Sequence, residues 1–247
     1  MLSQCIFIHI IFSIRSIYSI SETALMTKQP MTQTLSVTIA ETIRYKITIG
    51  ELTPGQRLSE AALSEELEIS RNTLREVFRV LTQEGLLTYA PNKGVFVSVP
   101  DMAAIIDIYQ VRRLVECDSL RHAYALHPAV QKMKQAICNA RVHEQHEDWV
   151  GVGTANMQFH TAIVELSDSE RLIKLYKNIS AELRLAFGHL NDPKILYAPY
   201  IDKNQSILEL LDKGKNHEAA EALSGYLDLS ERTLLAAYKR SQSGYRI

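Results

Sequence analysis

The sequence predicts a mainly α-helical fold in two domains of different character. Three successive segments between about residues 35 and 85 carry apolar residues at helical spacing. Residues 85–100 then change to the alternation that is typical of strands. Beyond Asp101 only long amphipathic segments with helical spacing follow. The chain has 247 residues, of which 46% are hydrophobic, so it can bury a core in each domain.

Residues 1–30 are set apart from the predicted fold. Their apolar run, CIFIHIIFSI, is only about ten residues long and therefore too short to cross a membrane. Arg15 follows this run, whereas a secretory signal has its positive charge before the apolar residues. Because Met26 and Met31 stand just before the first regular pattern, residues 1–30 are expected to be a disordered extension or a start assigned too far upstream.

Overall charge and cysteine content exclude few classes of protein. The chain has 27 Lys and Arg against 28 Asp and Glu, a net charge of -1, so any basic surface must arise from local placement. Its three cysteines, Cys5, Cys117 and Cys138, have neither a disulfide pattern nor zinc spacing. We therefore expect a protein of the reducing cytoplasm, with no membrane partner.

Residues 31–100 are predicted to form three helices and a hairpin. The first helix spans about residues 35–49 and is closed by Gly50 and Pro54. After a turn at Pro54-Gly55, Ser59 is predicted to cap a second helix and Ser70 a third, since a serine hydroxyl can accept from the free first-turn amides. Two short strands flank a turn at residues 91–94. This order of elements is that of a winged helix-turn-helix domain.

The third helix, which contains SRNTLREVFRVL, has two faces with different chemistry. One face is an apolar stripe of Leu74, Val77, Phe78 and Leu81. The opposite face carries polar residues, namely Arg71, Asn72, Arg75, Arg79 and Thr82. Arginine forks match guanine edges and phosphates, asparagine can pair with adenine, and the helix N-terminus attracts a phosphate. This pattern indicates a DNA-reading helix, although a solvated basic face is the alternative.

From about Leu35 to Pro100 the sequence resembles the GntR family of bacterial transcriptional regulators. The resemblance is carried by ITIGELTPGQRLSEAALSEELEISRNTLREVFRVLTQEGLL and the wing YAPNKGVFVSVP. It implies that the residues contacting double-stranded operator DNA are Ser70, Arg71, Asn72, Thr73 and Arg75, with Lys93 and Gly94 in the wing. Ala61 and Lys93 stand where relatives often carry arginine, so the operator sequence cannot be copied from a relative.

Residues 101–242 are predicted to form an all-helical antiparallel bundle of six or seven helices. Short breaks at Pro128, Gly151, Gly153, Pro193 and Gly214 separate the helical segments. The segments IYQVRRLVE, NMQFHTAIVELSDSERL and NQSILELLDKGKNHEAAEALSGYL resemble the FCD-type ligand domain of the FadR branch of the same family. The resemblance implies a domain for effector binding and dimerisation.

Relatives of this branch often bind a divalent metal through an aspartate and three histidines, and a carboxylate effector often sits on the metal. The corresponding positions of this chain hold Asn156, His160, Asn204 and Tyr226, so one of the four ligands is kept. Because amides and phenols are poor ligands for zinc, no metal and no other cofactor is expected.

The same polar groups are expected to hydrogen-bond a small organic effector, a carboxylate by preference. Arg112 matches a family arginine that faces the cavity, and Arg184 is a second candidate. Alternatively, each arginine forms a structural ion pair, and His160 is a core histidine that Asn156 satisfies.

The sequence thus predicts a homodimeric, ligand-responsive transcriptional regulator that binds a near-palindromic operator, and we expect a repressor. One alternative is a metal-dependent sensor of the same architecture. The other is an enzyme with His160 as general base, which the sequence does not favour because no partner carboxylate or nucleophile is recognisable near His160.

Overall fold

The structure is a computed structural model that describes residues 31–124, 126–188, 190 and 193–242. The chain forms two compact units, Met1–Thr34 and Leu35–Ile247. The predictions for residues 1–30 lie outside the described residues. Within the described ranges, no helix is long and apolar enough to cross a membrane.

The first part of the described chain holds three helices and a small sheet. Its elements are α1 (Met31–Thr48), β1 (Arg57–Leu58), α2 (Glu60–Glu66), α3 (Arg71–Gln83), β2 (Leu87–Ala90) and β3 (Gly94–Val97). The two predicted caps are confirmed, because Ser59 Oγ accepts from the amide of Ala62 at 3.3 Å and Ser70 Oγ accepts from that of Thr73 at 3.1 Å. The helices, caps and hairpin follow the predicted order.

The prediction of two strands was incomplete, because the sheet has a third. β1 pairs antiparallel with β3, which places Arg57 opposite Phe96 and Leu58 opposite Val95, and the strand order is β1-β3-β2. For this region the sequence predicts only the turn at Pro54-Gly55. Two residues are too few to show a period of two, so this strand is specified by its partner rather than by its own sequence.

The second part of the described chain contains only helices. They are α4 (Met102–Arg121), α5 (Pro128–Gln145), α6 (Trp149–Glu165), α7 (Glu170–Gly188), α8 (Pro193–Asp212) and α9 (Asn216–Gln242). The mainly α fold is therefore confirmed, with six helices among the described residues of the bundle. The break predicted at Gly151 and Gly153 was wrong, since both lie inside α6. The helix α8 continues through Pro199. Leu196, Tyr197 and Tyr200 are buried in the core and hold the turns around this proline in place.

The helix α7 contributes to two hydrophobic clusters at once. Leu183, Ala186 and Phe187 lie in the core of the bundle. Ala181 and Leu185, with 0% and 1% exposure, belong instead to the cluster formed by α1, α3 and the sheet. One helix is thus shared between the winged part and the bundle, and any shift of α7 must disturb both cores.

Polar contacts also join the winged part to the bundle. Asn178 Nδ2 on α7 donates to the backbone carbonyl of Glu84 at 3.0 Å and to Glu182 Oε1 at 3.0 Å. Burial, together with the nearby carboxylates of Asp107 and Glu84, raises the pKa of Glu182 to about 7. Glu182 is therefore half protonated near neutral pH.

We expect Glu182→Gln to raise the melting temperature at pH 8 by about 2–4 °C and to leave it nearly unchanged at pH 5. The folded protein holds a proton on Glu182 that the unfolded chain releases near its ordinary pKa of 4.5. Stability therefore falls as the pH rises from about 4.5 to about 7, and glutamine removes that loss. Melting curves at both pH values test this expectation, with Glu221→Gln, at an exposed position, as the control. Equal shifts at pH 5 and pH 8 would contradict it.

Candidate functional site

The N-terminal turn of α3 presents polar groups to solvent. Arg71 and Asn72 are exposed, and neither has a hydrogen bond or ion pair with another described residue. The opposite stripe of α3 is buried, because Leu74, Val77 and Leu81 are each 0% exposed. The predicted division of this helix into a packed face and a polar face is confirmed. Its free donors lie where a helix N-terminus also offers unsatisfied amides.

Two other arginines on this face have acidic partners. Arg75 Nε donates to Glu60 Oε2 on α2 at 2.9 Å, and Arg79 pairs with Glu76 on its own helix. Both arginines are more than 60% exposed, so these pairs contribute little and can exchange for another anion at small cost. Glu60 therefore aligns Arg75 along the face without fixing it there.

Ser70 and Thr73 order the start of α3. The Ser70 hydroxyl lies 2.8 Å from Thr73 Oγ1 and also accepts from the Thr73 amide. The serine oxygen thus satisfies one first-turn donor and leaves the neighbouring amides free. Both residues were predicted to contact DNA, and the structure adds that they also hold the helix N-terminus in place.

The tip of the hairpin is a tight turn that ends at Gly94. Asn92 and Gly94 have φ values of +61° and +105°, and the Lys93 amide donates to the carbonyl of Ala90 at 3.0 Å. A Cβ added at Gly94 would lie 3.6 Å from Arg57 Nε, so the exposed Arg57 adjoins the wing. Arg57 was not predicted from the sequence, because only the pairing of β1 with β3 brings this residue to the hairpin.

Inside the bundle, Glu116 on α4 is the centre of a buried polar cluster. Its Oε1 accepts from Arg112 Nε at 2.6 Å and from the Tyr176 hydroxyl at 2.6 Å. Its Oε2 lies 2.6 Å from His160 Nδ1. The expectation that His160 lacks a partner carboxylate was wrong, and so was the alternative in which Asn156 satisfies it. Glu116 comes from another helix, and the sequence predicted neither its contact with His160 nor its contact with Tyr176.

The charges in this cluster are set by their neighbours. Burial alone would raise the pKa of Glu116, but the Arg112 guanidinium and His160 hold it at about 2. Burial lowers the pKa of His160, against the opposing effect of Glu116. The imidazole is therefore neutral near pH 7, and because the carboxylate can only accept, the proton must lie on Nδ1. The Nε2 lone pair is left free.

A second set of polar groups adjoins the first. Asn156 Oδ1 accepts from Asn204 Nδ2 at 2.8 Å and from the Tyr226 hydroxyl at 3.2 Å. The Tyr226 ring lies 4.9 Å from the His160 ring, centroid to centroid, and so joins the two sets. Of the six predicted effector residues, the structure brings five together, namely Arg112, Asn156, His160, Asn204 and Tyr226.

Three atoms of this cluster have no partner within the described part of the chain. They are Arg112 Nη2, His160 Nε2 and Asn204 Oδ1, on residues that are 1%, 1% and 4% exposed. A buried polar atom without a hydrogen bond is costly, so such atoms are uncommon away from ligand sites. Together they offer one donor and two acceptors to a bound molecule.

Arg184 lies apart from this cluster. Its Nη1 donates to the Tyr197 hydroxyl at 3.0 Å, and its Nη2 donates to the carbonyl of Val150 at 3.2 Å. A Cβ at Gly153 would lie 2.2 Å from Nη1, so this glycine makes room for the guanidinium. Arg184 borders a separate cavity of about 170 Å³ between the bundle and the loop that follows α1. These contacts give the arginine a packing role between the two parts of the chain.

The donor set of the cluster does not fit the metal site of the FadR branch. His160 supplies one nitrogen, but both Asn156 Oδ1 lone pairs already accept hydrogen bonds, and the Arg112 charge nearby disfavours a cation. Burial also raises the pKa of Tyr226 well above its usual range, which keeps the phenol protonated. Within the described residues, no group of three or more His, Cys, Asp or Glu could hold a metal ion.

Comparisons with known proteins match both parts of the chain. The model of the gntR family of bacterial regulatory proteins matches residues 35–97, and that of the FCD domain matches residues 107–229. A solved structure of a GntR transcriptional regulator from Rhodococcus sp. RHA1 is 34% identical, with a TM-score of 0.76, over 82% of this chain and 98% of that one.

Two curated proteins are also similar. The Nta operon transcriptional regulator of Aminobacter aminovorans is 31% identical over 136 residues, which are 54% of this chain and 64% of that protein. The HTH-type transcriptional repressor RspR of Escherichia coli K12 is 24% identical over 217 residues, which are 85% of this chain and 92% of that one.

Proposed function

Because the chain belongs to the GntR family and is a transcriptional regulator with a DNA-binding domain and an FCD ligand-binding domain, we propose that it is a homodimeric repressor. Its two copies bind a near-palindromic operator, and a small organic effector in the bundle releases them. The repressor assignment is supported by the similarity to RspR, which is described as a repressor. A two-fold dimer fits a two-fold operator, since each copy reads one half-site.

The observation that supports operator binding is the free N-terminal turn of α3. Arg71 and Asn72 are exposed there without a hydrogen bond or ion pair to any described residue, and Arg75 follows one turn later. A helix that enters the major groove needs such donors at its N-terminus. We propose that Ser70 and Thr73 contact the backbone beside them, while Lys93, Gly94 and Arg57 meet an adjacent phosphate or the minor groove.

Sequencing of genomic fragments captured by the purified protein tests operator binding. Enrichment of one near-palindrome is the expected result, at a stated salt concentration because phosphate contacts make affinity depend steeply on salt. Sedimentation of the protein on that fragment then gives the stoichiometry. A single copy bound to an asymmetric half-site would contradict the dimeric model.

The observation that supports an effector in the bundle is the set of three unpartnered atoms. Arg112 Nη2 can donate to a carboxylate oxygen, while His160 Nε2 and Asn204 Oδ1 can each accept from a hydroxyl or an amine. A complementary ligand therefore combines a carboxylate with a hydroxyl or amino group. The Glu116 carboxylate already neutralises the Arg112 charge. A ligand carboxylate therefore cannot bind through charge alone and must also accept a hydrogen bond from Arg112 Nη2.

Thermal shift with a panel of hydroxy acids and amino acids identifies candidates for the effector. A true effector raises the melting temperature of the wild type and fails to do so in Asn204→Ala, which removes one acceptor. Binding to the native state alone stabilises by mass action, so a ligand at 100 times its Kd contributes about 2.7 kcal/mol. If the panel gives shifts that survive in Asn204→Ala, the ligand lies elsewhere.

The shared helix α7 offers a physical link between the effector cluster and the winged part. Tyr176 on α7 donates to Glu116, and one to three turns later Ala181 and Leu185 pack in the winged core. We propose that an effector which alters the Glu116 hydrogen bonds shifts α7 and thereby the placement of α3. A coupling of about 1–3 kcal/mol changes operator affinity by roughly 5- to 150-fold.

We expect Tyr176→Phe to reduce the effector-induced change in operator affinity by at least about fivefold, with ligand-free affinity within about twofold of wild type. The substitution removes only the hydroxyl that joins α7 to Glu116. Fluorescence anisotropy on the captured operator, with and without the effector found by thermal shift, measures both quantities. Tyr200→Phe is the control, because Tyr200 is buried nearby and its hydroxyl has no described partner. An unchanged response in Tyr176→Phe would contradict the proposed link.

Elemental analysis of protein purified without chelator tests one alternative, a metal-dependent sensor of the same architecture. Near-stoichiometric metal would contradict an effector bound directly by the bundle.

A further inference from the structure

A second cavity lies between α1 and the bundle, on the other side of α6 from the effector cluster. It has a volume of about 450 Å³ and is lined by residues of α1, α5, α6 and α7. Ligand pockets of small molecules fall in the range of roughly 300–1,000 Å³. The cavity is therefore large enough for a small organic molecule, and its walls come from both parts of the chain.

One wall of this cavity is apolar and buried. Ala136 on α5 and Met157 and Ala162 on α6 line it, and each is at most 3% exposed. Small side chains at two of these three positions leave a smooth surface, and methionine adapts its shape to what packs against it. This wall fits the apolar body of a ligand.

A polar group without a partner faces the same cavity. Ser180 on α7 lines the cavity and is 3% exposed, and its Oγ has no hydrogen bond with any described residue. A buried hydroxyl of this kind costs free energy unless a ligand or water satisfies it. The Ser180 hydroxyl therefore gives the cavity a group that can hydrogen-bond a ligand, in addition to the apolar wall.

The charges around the cavity favour an anion. Its lining includes three basic residues and two acidic ones, Glu41 and Glu165. Arg44 pairs with Glu41 and Glu84, and Lys132 pairs with Glu165. Lys177 lies three residues before Ser180 on α7, hence on the same face, and is exposed with no ion pair to a described residue. Among the described residues of the lining, Lys177 is thus the basic residue without an acidic partner, and it lies beside the buried Ser180 hydroxyl.

We propose that this cavity is a second ligand site, for an amphipathic monocarboxylate. The carboxylate binds between Lys177 and Ser180, and the apolar body lies against Ala136, Met157 and Ala162. The site is distinct from the effector cluster, because no residue of that cluster lines it. It goes beyond the proposed repressor function and does not depend on it.

Calorimetric titration of the full chain with 4-phenylbutyrate, in the absence of DNA, tests the proposal. This acid has one carboxylate and an apolar body, and 4-phenylbutanamide is its neutral counterpart. We expect the acid to bind roughly two- to fivefold more tightly than the amide, the ratio that one exposed ion pair supplies. No binding of the acid at millimolar concentration, or equal affinity for both compounds, would overturn the proposal.

Four variants locate the bound acid. Lys177→Gln should weaken binding roughly two- to fivefold and remove the preference for the acid, and Gln158→Trp, at an exposed position of the lining, should block entry. Lys174→Gln is the matched control, since Lys174 is exposed on the same helix and does not line the cavity. Asn204→Ala should leave binding unchanged. Loss of binding in Asn204→Ala, with Lys177→Gln unaffected, would place the acid in the effector cluster and overturn the proposal.

Discussion

Glu116→Ala is expected to lower the free energy of unfolding by about 3–5 kcal/mol, the usual effect of removing one partner from a buried ion pair. The substitution leaves the Arg112 guanidinium, 1% exposed, without its counter-ion, and it also removes the partners of His160 Nδ1 and of the Tyr176 hydroxyl. No other acidic residue is described in contact with Arg112, and water cannot easily replace the carboxylate there. Equilibrium unfolding in urea at pH 7 measures this loss.

The pH dependence gives a second readout of the same substitution. The pKa of Glu116 is lowered to about 2 in the folded protein, whereas its ordinary value is 4.5. The stability that this group contributes is therefore fully present above about pH 4.5 and is lost as the pH falls toward about 2. In Glu116→Ala this part of the acid sensitivity should disappear, in addition to the loss at pH 7.

Glu218→Ala is the matched control for this substitution. Glu218 pairs with Lys215 at the surface, where both side chains are at least half exposed, so its removal should cost less than about 1 kcal/mol. A loss in Glu116→Ala no larger than that in Glu218→Ala would show that the buried network is not a major contribution to the stability of the bundle.

The features that the sequence predicted correctly are local ones. The caps at Ser59 and Ser70 depend on a hydroxyl and an amide three residues apart, and the buried stripe of α3 depends on spacing within one helix. Such patterns are visible in a single stretch of chain because the interacting groups are neighbours along it. The fold class followed from the same local periods.

The features that the sequence did not predict depend on how helices cross. His160 and Glu116 are 44 residues apart, and Tyr176 and Glu116 are 60 apart, so no spacing rule joins them. The alternative partner proposed for His160 was Asn156, one turn away on its own helix, because only local partners can be inferred from a helical period. The division of α7 between two cores is hidden for the same reason, since apolar residues on both sides of a helix do not say which core each side meets.

The polar face of α3 was partly predictable, because it depends both on local spacing and on contacts with other elements. Its polar residues were predictable from the period of α3, but which of them are free could be learned only from neighbouring elements. Glu60 on α2 pairs with Arg75, whereas nothing described pairs with Arg71. If this face binds the operator as proposed, Arg71 should contribute more to binding than Arg75, because Arg75 must first leave its carboxylate.

Arg71→Ala is accordingly expected to weaken operator binding by roughly 5- to 150-fold if its fork meets a guanine, and the preference at that one base pair should relax. If the guanidinium meets phosphate instead, affinity should fall on operator and scrambled fragments alike, and the slope of log affinity against log salt should drop by about 1. Fluorescence anisotropy on both fragments at several salt concentrations separates these outcomes.

Arg171→Ala, at an exposed position of α7 in the bundle, is the control and should change neither quantity. Since Arg71 is exposed and has no hydrogen bond or ion pair with a described residue, Arg71→Ala should also melt like the wild type, so a loss of affinity cannot be ascribed to unfolding. Equal binding by Arg71→Ala and wild type on both fragments would remove the N-terminal turn of α3 from the DNA interface, and with it the observation that supports operator binding.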